Sequence, residues 1–222
     1  MYDERSSTRG RRPWIVGVSG ASGTPYAAAV LRGLLDAGAE VDLVVSRAAR
    51  LTLIDETGIA FRDAHWRTDL AAWTGLDDAA LDRVRYWAAG DLAGGPASGS
   101  YPARGMVVVP ASTASVAGIA LGLSKDLLQR AADVTLKERR PLVVVPRETP
   151  LTGTTLRHLV RLDDAGAVIL PASPAFYAGA RDVQRLVDFV AGKALDALGV
   201  AHTLYRRWDG ELGGARRDEV GG

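Results

Sequence analysis

The most constraining feature of this chain is a rhythm. Short, mostly apolar runs recur, each followed by a stretch with helical spacing. The runs are WIVGV at 14–18, VDLVV at 41–45, MVVV at 106–109, LVVV at 142–145 and AVIL at 167–170. Runs this short read as strands buried on both faces, and the helices between them supply the crossovers of a parallel sheet. The first unit is the clearest. Residues 14–18 lead into glycine and serine, and residues 27–35 place apolar side chains at 27, 30, 31, 34 and 35. Thr24 fits an N-cap, Pro25 a first helical residue and Gly38 a helix stop. Residues 14–45 thus form a β–turn–α–β unit of the doubly wound kind. Further helices are expected after PASTAS, over 154–164 and over 182–198.

The chain has 222 residues, and 47% of them are hydrophobic, so it can bury one sizeable core. The expectation is a single-domain α/β sandwich of three layers with a mainly parallel sheet, spanning 13–208. Tails at 1–12 and 209–222 flank it, rich in charge and glycine. The segment 58–104 breaks the rhythm. It reads as a short helix, one strand near 84–87 and a flexible active-site stretch through GDLAGGPASGS. A formal net charge of +1 leaves no footprint for nucleic acid. The absence of cysteine excludes disulfides, thiol catalysis and cysteine–zinc sites. No apolar run approaches the roughly 20 residues of a membrane span, and the start MYDERSSTRGRR lacks the apolar core of a signal peptide. A cytoplasmic location is expected.

Open parallel sheets bind ligands beyond the carboxyl ends of their strands. The first strand is followed by GVSGASG, whose glycines allow close backbone approach. Its helix start is a natural phosphate site, with Ser19 and Ser22 as added donors. A tight turn without a ligand explains it equally well. The second strand ends at Ser46, the next at PASTAS, with Ser112, Thr113 and Ser115. The following strand ends in PRETP, with Arg147 and Glu148, and the last in PASPAFY, with Tyr177. A fixed guanidinium there suits a phosphate, although a surface ion pair is the simpler reading. His65, His158 and His202 lack metal-ligand spacing, and GxSxG is absent. A small molecule bearing phosphate is the expected ligand.

The segments IVGVSGASGTPYA, SRAARLTLIDET, PASGS, PASTASVAGIALGLSKDLLQRAADVTLKERRPLVVVPRETP and GAVILPASPAFY resemble flavin prenyltransferases of the UbiX type, over residues 14–208. The resemblance implies a flavodoxin-like, or Rossmann-like, fold and frequent assembly as a dodecamer. It implies that reduced FMN is joined at N5 and C6 to a dimethylallyl group from dimethylallyl phosphate. The product, prenylated FMN, would serve a UbiD-like decarboxylase, and no metal is required. Matched residue by residue, it assigns Gly20, Ala21, Ser22, Ser46, Ser112, Thr113, Ala114, Ser115 and Arg147 to the FMN site. It assigns Lys137, Arg147, Glu148, Tyr177 and Lys193 to the prenyl phosphate, partly across a subunit boundary. Ser22, Glu56 and Glu148 become the catalytic candidates. On the residues alone, Glu56 reads as a solvated helix position, Lys137 as part of a charged face and Lys193 as a snorkelling lysine.

Two departures stand out. Many relatives carry arginine where Lys193 stands, and lysine lacks the bidentate fork. Some have an aromatic residue on the prenyl donor where this chain has Leu92, with Trp87 five residues earlier. Two other readings compete. A flavin-dependent cysteine decarboxylase would carry a histidine after the second strand and a PASANT-like motif, whereas this chain has SRAARLTLIDET and PASTAS. A non-catalytic FMN-binding protein would not need Glu56, Lys137, Arg147, Glu148 and Tyr177 together.

Overall fold

The structure is a computed structural model and describes residues 10, 12–175 and 182–208. Tyr177, and the expected tails apart from residues 10 and 12, lie outside the described residues. Six strands, β1 (Trp14–Val18), β2 (Val41–Val45), β3 (Val84–Ala88), β4 (Gly105–Ala111), β5 (Leu142–Pro146) and β6 (Val168–Ile169), form one sheet. Their order is β3-β2-β1-β4-β5-β6 and every pairing is parallel. The order reverses between β1 and β4, the switch point where doubly wound sheets open a crevice.

The strands are buried on both faces because their side chains alternate between two cores. Val41, Leu43 and Val45 join one core with α1 (Thr24–Asp36), α2 (Arg47–Thr57), α3 (Trp66–Thr74) and α8 (Val183–Ala197). Val44 joins the other, with α5 (Thr113–Ala120), α6 (Leu127–Lys137) and α7 (Gly153–Asp164). The short α4 (Asp78–Leu81) precedes β3. Asp42 also lies in the sheet, fully buried, and accepts a hydrogen bond from the Tyr101 hydroxyl at 2.6 Å.

Several local expectations change. Thr24 is the first residue of α1 rather than its cap; the cap is Gly23 in the left-handed conformation. β4 does not stop at Pro110 but runs to Ala111, and its register with β5 shifts between Val108 and Ala111. Such a shift accommodates a residue with no N–H for the ladder. Two helices rather than one follow β4. The segment 58–104 contains three helices or helical turns beyond the one expected, counting Asp63–His65, α3, α4 and Gly95–Ala97. Its last part is fastened down rather than loose. Ala89 O accepts from Leu127 N at 2.8 Å, Ala97 O from Arg130 Nε at 3.1 Å and Gly99 O from Arg140 at 2.7 Å. Groups on and around α6 thus satisfy carbonyls that a free loop would leave to water.

The edge strand β3 is locked to α2 through one carboxylate. Asp63 pairs with Arg50 of α2 and accepts from the Tyr86 hydroxyl, while Arg50 also donates to that oxygen at 2.8 Å. Burial, then the hydrogen bond to Asp63, pushes the Tyr86 hydroxyl well above the usual tyrosine range. Trp66 stacks on the same ring at 6.0 Å. Among the described residues no helix is long and apolar enough to cross a membrane.

α1 and α8 pack closely because Gly33 has no side chain. A Cβ there would fall 2.5 Å from Leu195 Cδ1, and Leu195 is fully buried. Gly33→Ala is therefore expected to destabilise the protein by about 1–3 kcal/mol, the usual cost of overpacking, despite the better helix propensity of alanine. Urea denaturation would read this as a lower midpoint. An unchanged midpoint would mean that Leu195 has room to move.

Candidate active site at the switch point

The carboxyl ends of β1, β4 and β5 meet at one rim, and hydrogen bonds fix them there. Ser19, fully buried, donates to Pro110 O at 2.8 Å and accepts from Ser112 N at 2.7 Å. Its hydroxyl is consumed inside the protein, so it is not the ligand donor that the sequence suggested. Arg147, one residue past β5, donates from Nε to Ser22 O at 2.9 Å. The turn after β1 is thereby tied to the ends of β4 and β5. Gly20 is required by packing: a Cβ would lie 2.4 Å from Ala48 Cβ and 3.0 Å from its carbonyl carbon, in the first turn of α2.

Glu56 is not an idle solvated residue. From the last turn of α2 its carboxylate accepts from Gly23 N, Thr24 N and Thr24 Oγ1, at 2.8, 2.8 and 2.7 Å. It caps α1 from outside, where the positive end of the helix dipole lies. Partial burial pushes its carboxyl up, but hydrogen bonds from Thr24 and Ser22 side chains and the Thr24 and Gly23 backbone outweigh that. The net position is below the usual glutamate value. The donors expected to face a phosphate at the 20–23 turn are thus held by the protein's own anion.

Two other helix starts remain open at the rim. Ser46 and Ser112 cap α2 and α5, accepting from Ala49 N at 3.1 Å and Ser115 N at 3.2 Å. The first two N–H groups of each helix, on Arg47 and Ala48 and on Thr113 and Ala114, find no acceptor among the described residues. Ala48 and Ala114 are exposed. Neither helix has an acidic residue in its first turn, so both present uncompensated dipole ends. The Ser112 hydroxyl also donates to Ser115 Oγ at 3.1 Å. This set of open N–H groups beside Arg147 fits a phosphate-bearing flavin such as FMN.

The remaining candidates divide by position. Ser22, Ser46, Glu56, Ser112, Thr113, Ala114, Ser115 and Arg147 surround the rim with Gly20 and Ala21. Glu148 is exposed there and accepts from Thr149 N at 3.0 Å. Lys137 ends α6, which precedes β5, and pairs with Glu138 beside Gly99, ahead of β4. It therefore sits at the amino edge of the sheet. Lys193 is two residues before Leu195, which packs on Gly33 in the last turn of α1, also toward the amino edge. A five-residue strand is about 16 Å long. Neither lysine converges on Arg147 within one chain.

Three residues at or near these positions were not foreseen. Tyr26, whose ring a Gly23 Cβ would meet at 2.7 Å, has its hydroxyl raised by burial, which the Arg147 cation partly offsets. Its position one turn into α1 gave no signal in the sequence. Arg130 and Arg140 grip the PASGS loop; their spacing within a basic stretch was the available signal. Trp87 packs edge-on against Tyr101 at 6.3 Å with Arg85 above it at 5.7 Å, and Leu92 is exposed. Among the described residues no cluster of His, Asp and Glu has the form of a metal site.

A parallel sheet of this order, with open helix starts at its carboxyl rim, is the doubly wound α/β class, which binds ligands at that rim. The family described as Flavoprotein matches residues 2–195. The chain is 74% identical over 212 residues to the flavin prenyltransferase UbiX of Streptomyces coelicolor, covering 92% of this chain and 98% of that protein. It therefore belongs to the UbiX-type flavin prenyltransferase family. The crystal structure of AnUbiX (PadA1) in complex with FMN and dimethylallyl pyrophosphate superposes with a TM-score of 0.78 at 36% identity, covering 90% of this chain and 99% of that one. A dodecameric FMN-dependent UbiX-like decarboxylase from Escherichia coli O157:H7 gives 0.77 at 36% identity, covering 90% and 100%.

The Glu56 cap has a signed pH dependence. A depressed carboxyl contributes stability above the usual glutamate value near 4.5, and that contribution is lost as pH falls through the lower folded value. Glu56→Ala should cost about 0.5–1 kcal/mol at neutral pH, discounted because the carboxylate is exposed. The difference from wild type should shrink in melts below about pH 4. A constant difference at all pH would assign Glu56 a packing role instead.

Proposed function

We propose that the chain transfers a dimethylallyl group from dimethylallyl phosphate to N5 and C6 of reduced FMN. The resulting prenylated FMN would serve a UbiD-like decarboxylase, with the cytoplasm as the setting. The observation that carries this reading is the rim itself. Two open helix starts, one fixed guanidinium and two carboxylates are held at the ends of β2, β4 and β5 and on the helix after β2, around the turn that follows β1. Family membership supports it, as do the FMN and dimethylallyl pyrophosphate held by AnUbiX.

In this reading the first-turn N–H groups of α2 and α5 bind the flavin phosphate and ring edge, with Ser46, Ser112, Thr113, Ala114 and Ser115. Gly20, Ala21 and Ser22 let the turn approach the flavin closely. Reduced FMN, when bound, supplies a nucleophilic nitrogen. Arg147 opposes the charge that develops on the departing phosphate. Glu148, exposed at the rim, carries a proton during ring closure, and Glu56 with Ser22 assists from the turn. Rigid attachment of these groups to the sheet holds the two substrates in register, which removes much of the entropic barrier to their encounter.

Lys137 and Lys193 are assigned to a neighbouring subunit's donor phosphate, together with Tyr177. Their place at the amino edge, away from Arg147, supports a site built from more than one copy. The dodecameric neighbour supports the same arrangement.

Incubated anaerobically with reduced FMN and dimethylallyl phosphate, the protein should yield a flavin heavier by one prenyl unit. Unchanged FMN would overturn the reading. Glu148→Gln should retain FMN and lower turnover by about 10²–10⁴-fold, the usual contribution of a general acid or base. Full turnover in that variant would remove Glu148 as the proton carrier.

Lys193→Ala should raise the donor concentration for half-saturation by roughly ten- to a hundredfold, as expected for one charge-assisted bond, with FMN content unchanged. Mixing it with Glu148→Gln should recover part of the activity, because one interface then pairs two intact halves. Unchanged donor saturation, or no recovery with an active monomer, would return Lys193 to its own subunit.

A further inference from the structure

One carboxylate fastens the end of the described chain to the last helix. Asp196 in α8 receives Arg207 Nη2 at 2.6 Å and Nη1 at 3.3 Å, His202 Nε2 at 3.1 Å, and the Tyr205 hydroxyl. His202 Nδ1 accepts from Leu204 N at 3.2 Å, so the ring hydrogen sits on Nε2 and points to Asp196. Residues 201–208 therefore run back against α8 as a strap. Gly192 makes this possible, because a Cβ there would fall 2.5 Å from the Tyr205 ring and 2.7 Å from His202. Phe189 packs on the Tyr205 ring at 5.0 Å, and Arg207 lies over it at 5.7 Å.

Lys193 stands one turn before Asp196 yet stays 3.9 Å from its nearer oxygen, with nearly half of its side chain exposed. An uncontested lysine–carboxylate pair closes to about 2.8 Å. Here the two oxygens already take one bond from His202, one from Tyr205 and two from Arg207, which is about the capacity of a carboxylate. Partial burial pushes the Asp196 carboxyl up, but Arg207, Tyr205 and His202 together hold it at about 2. It is an anion at neutral pH whose charge is already spoken for.

We infer that the strap is a positioning device: by filling Asp196, Arg207, Tyr205 and His202 hold Lys193 to a long, 3.9 Å ion pair without a hydrogen bond and leave its ammonium open to an external phosphate. This rests on the reading of Lys193 as a cation for the donor phosphate. Asp196 and Arg207 act through Lys193 and need not touch the substrate. Release of the strap would return the Asp196 charge to Lys193 and withdraw the cation from its task.

The chain has three lysines, Lys125, Lys137 and Lys193, which allows a direct test. Trace acetylation of the full chain with acetic anhydride, read by mass spectrometry, gives the reactivity of Lys193 against the exposed Lys125 as internal reference. A paired ammonium acylates more slowly. Arg207→Ala should lower the relative reactivity of Lys193 by about two- to fivefold, the range of a partly exposed ion pair. Adding Asp196→Asn to Arg207→Ala should restore it. Half-saturation by dimethylallyl phosphate should rise and recover in parallel, with kcat and FMN content unchanged. Labelling that is unchanged or increased in Arg207→Ala overturns the inference, as does a loss that Asp196→Asn fails to restore. If labelling behaves as expected but donor saturation does not move, the strap controls Lys193 and the phosphate role of Lys193 is what fails.

Discussion

The rim depends on one buried serine. Ser19 bridges the ends of the two central strands, giving its hydrogen to Pro110 O and receiving that of Ser112 N. A parallel sheet leaves its switch point open because the chain departs in opposite directions from β1 and β4. The Ser19 backbone N–H also donates to Pro110 O, at 3.2 Å, while the hydroxyl alone reaches Ser112 at the start of α5. Through these bonds the turn after β1 and the start of α5 form one surface, to which Arg147 is added through Ser22 O. The groups that a ligand would meet are thus set by the sheet and not by loop mobility.

Glu56 solves a related problem at the start of α1. A glycine-rich turn leaves that helix without a side-chain cap of its own, and the carboxylate arrives from the neighbouring helix instead. The lock between Arg50, Asp63 and Tyr86 holds α2 against the edge strand, and so sets where Glu56 can reach. Three helix starts on one rim then behave differently. One is neutralised internally, while two keep their positive ends exposed for an anion. At the turn that the sequence had nominated, Gly23 N, Thr24 N and the Thr24 hydroxyl are already taken by Glu56.

Chain direction decides the rest. Helices that cross back over a parallel sheet run opposite to its strands, so residues near their ends gather at the amino edge. Lys137 and Lys193 both lie there, whereas Arg147 and Glu148 lie at the carboxyl edge. Cations that the proposed function assigns to one task are thus separated in a single chain by about the length of a strand, and that proposal needs a second copy of the chain to reunite them. The strap held by Asp196 bears on the same surface.

The alternation of strands and helices, and with it the sheet, was already written in the order of residues. The bounds of β1 and β2 were legible to the residue, because apolar runs between glycine, serine and charge admit no other reading. Ser46, Ser112, Arg147 and Glu148 were legible as strand-end residues too, since a parallel sheet gathers the carboxyl ends of all its strands at one rim. How those groups act on one another emerged only from the folded chain. Ser19 reads as a ligand donor until Pro110 and Ser112 are beside it, and Thr24 reads as a cap until Glu56 supplies one from 32 residues away. Pro110 reads as a strand end until a register shift admits it. The role of Asp196 was invisible because its partners arrive from a strap whose path depends on one missing Cβ at Gly192. Local patterning fixes backbone shape through short-range sterics and burial. The pairing of polar groups across the fold depends on distances that no spacing in the sequence encodes.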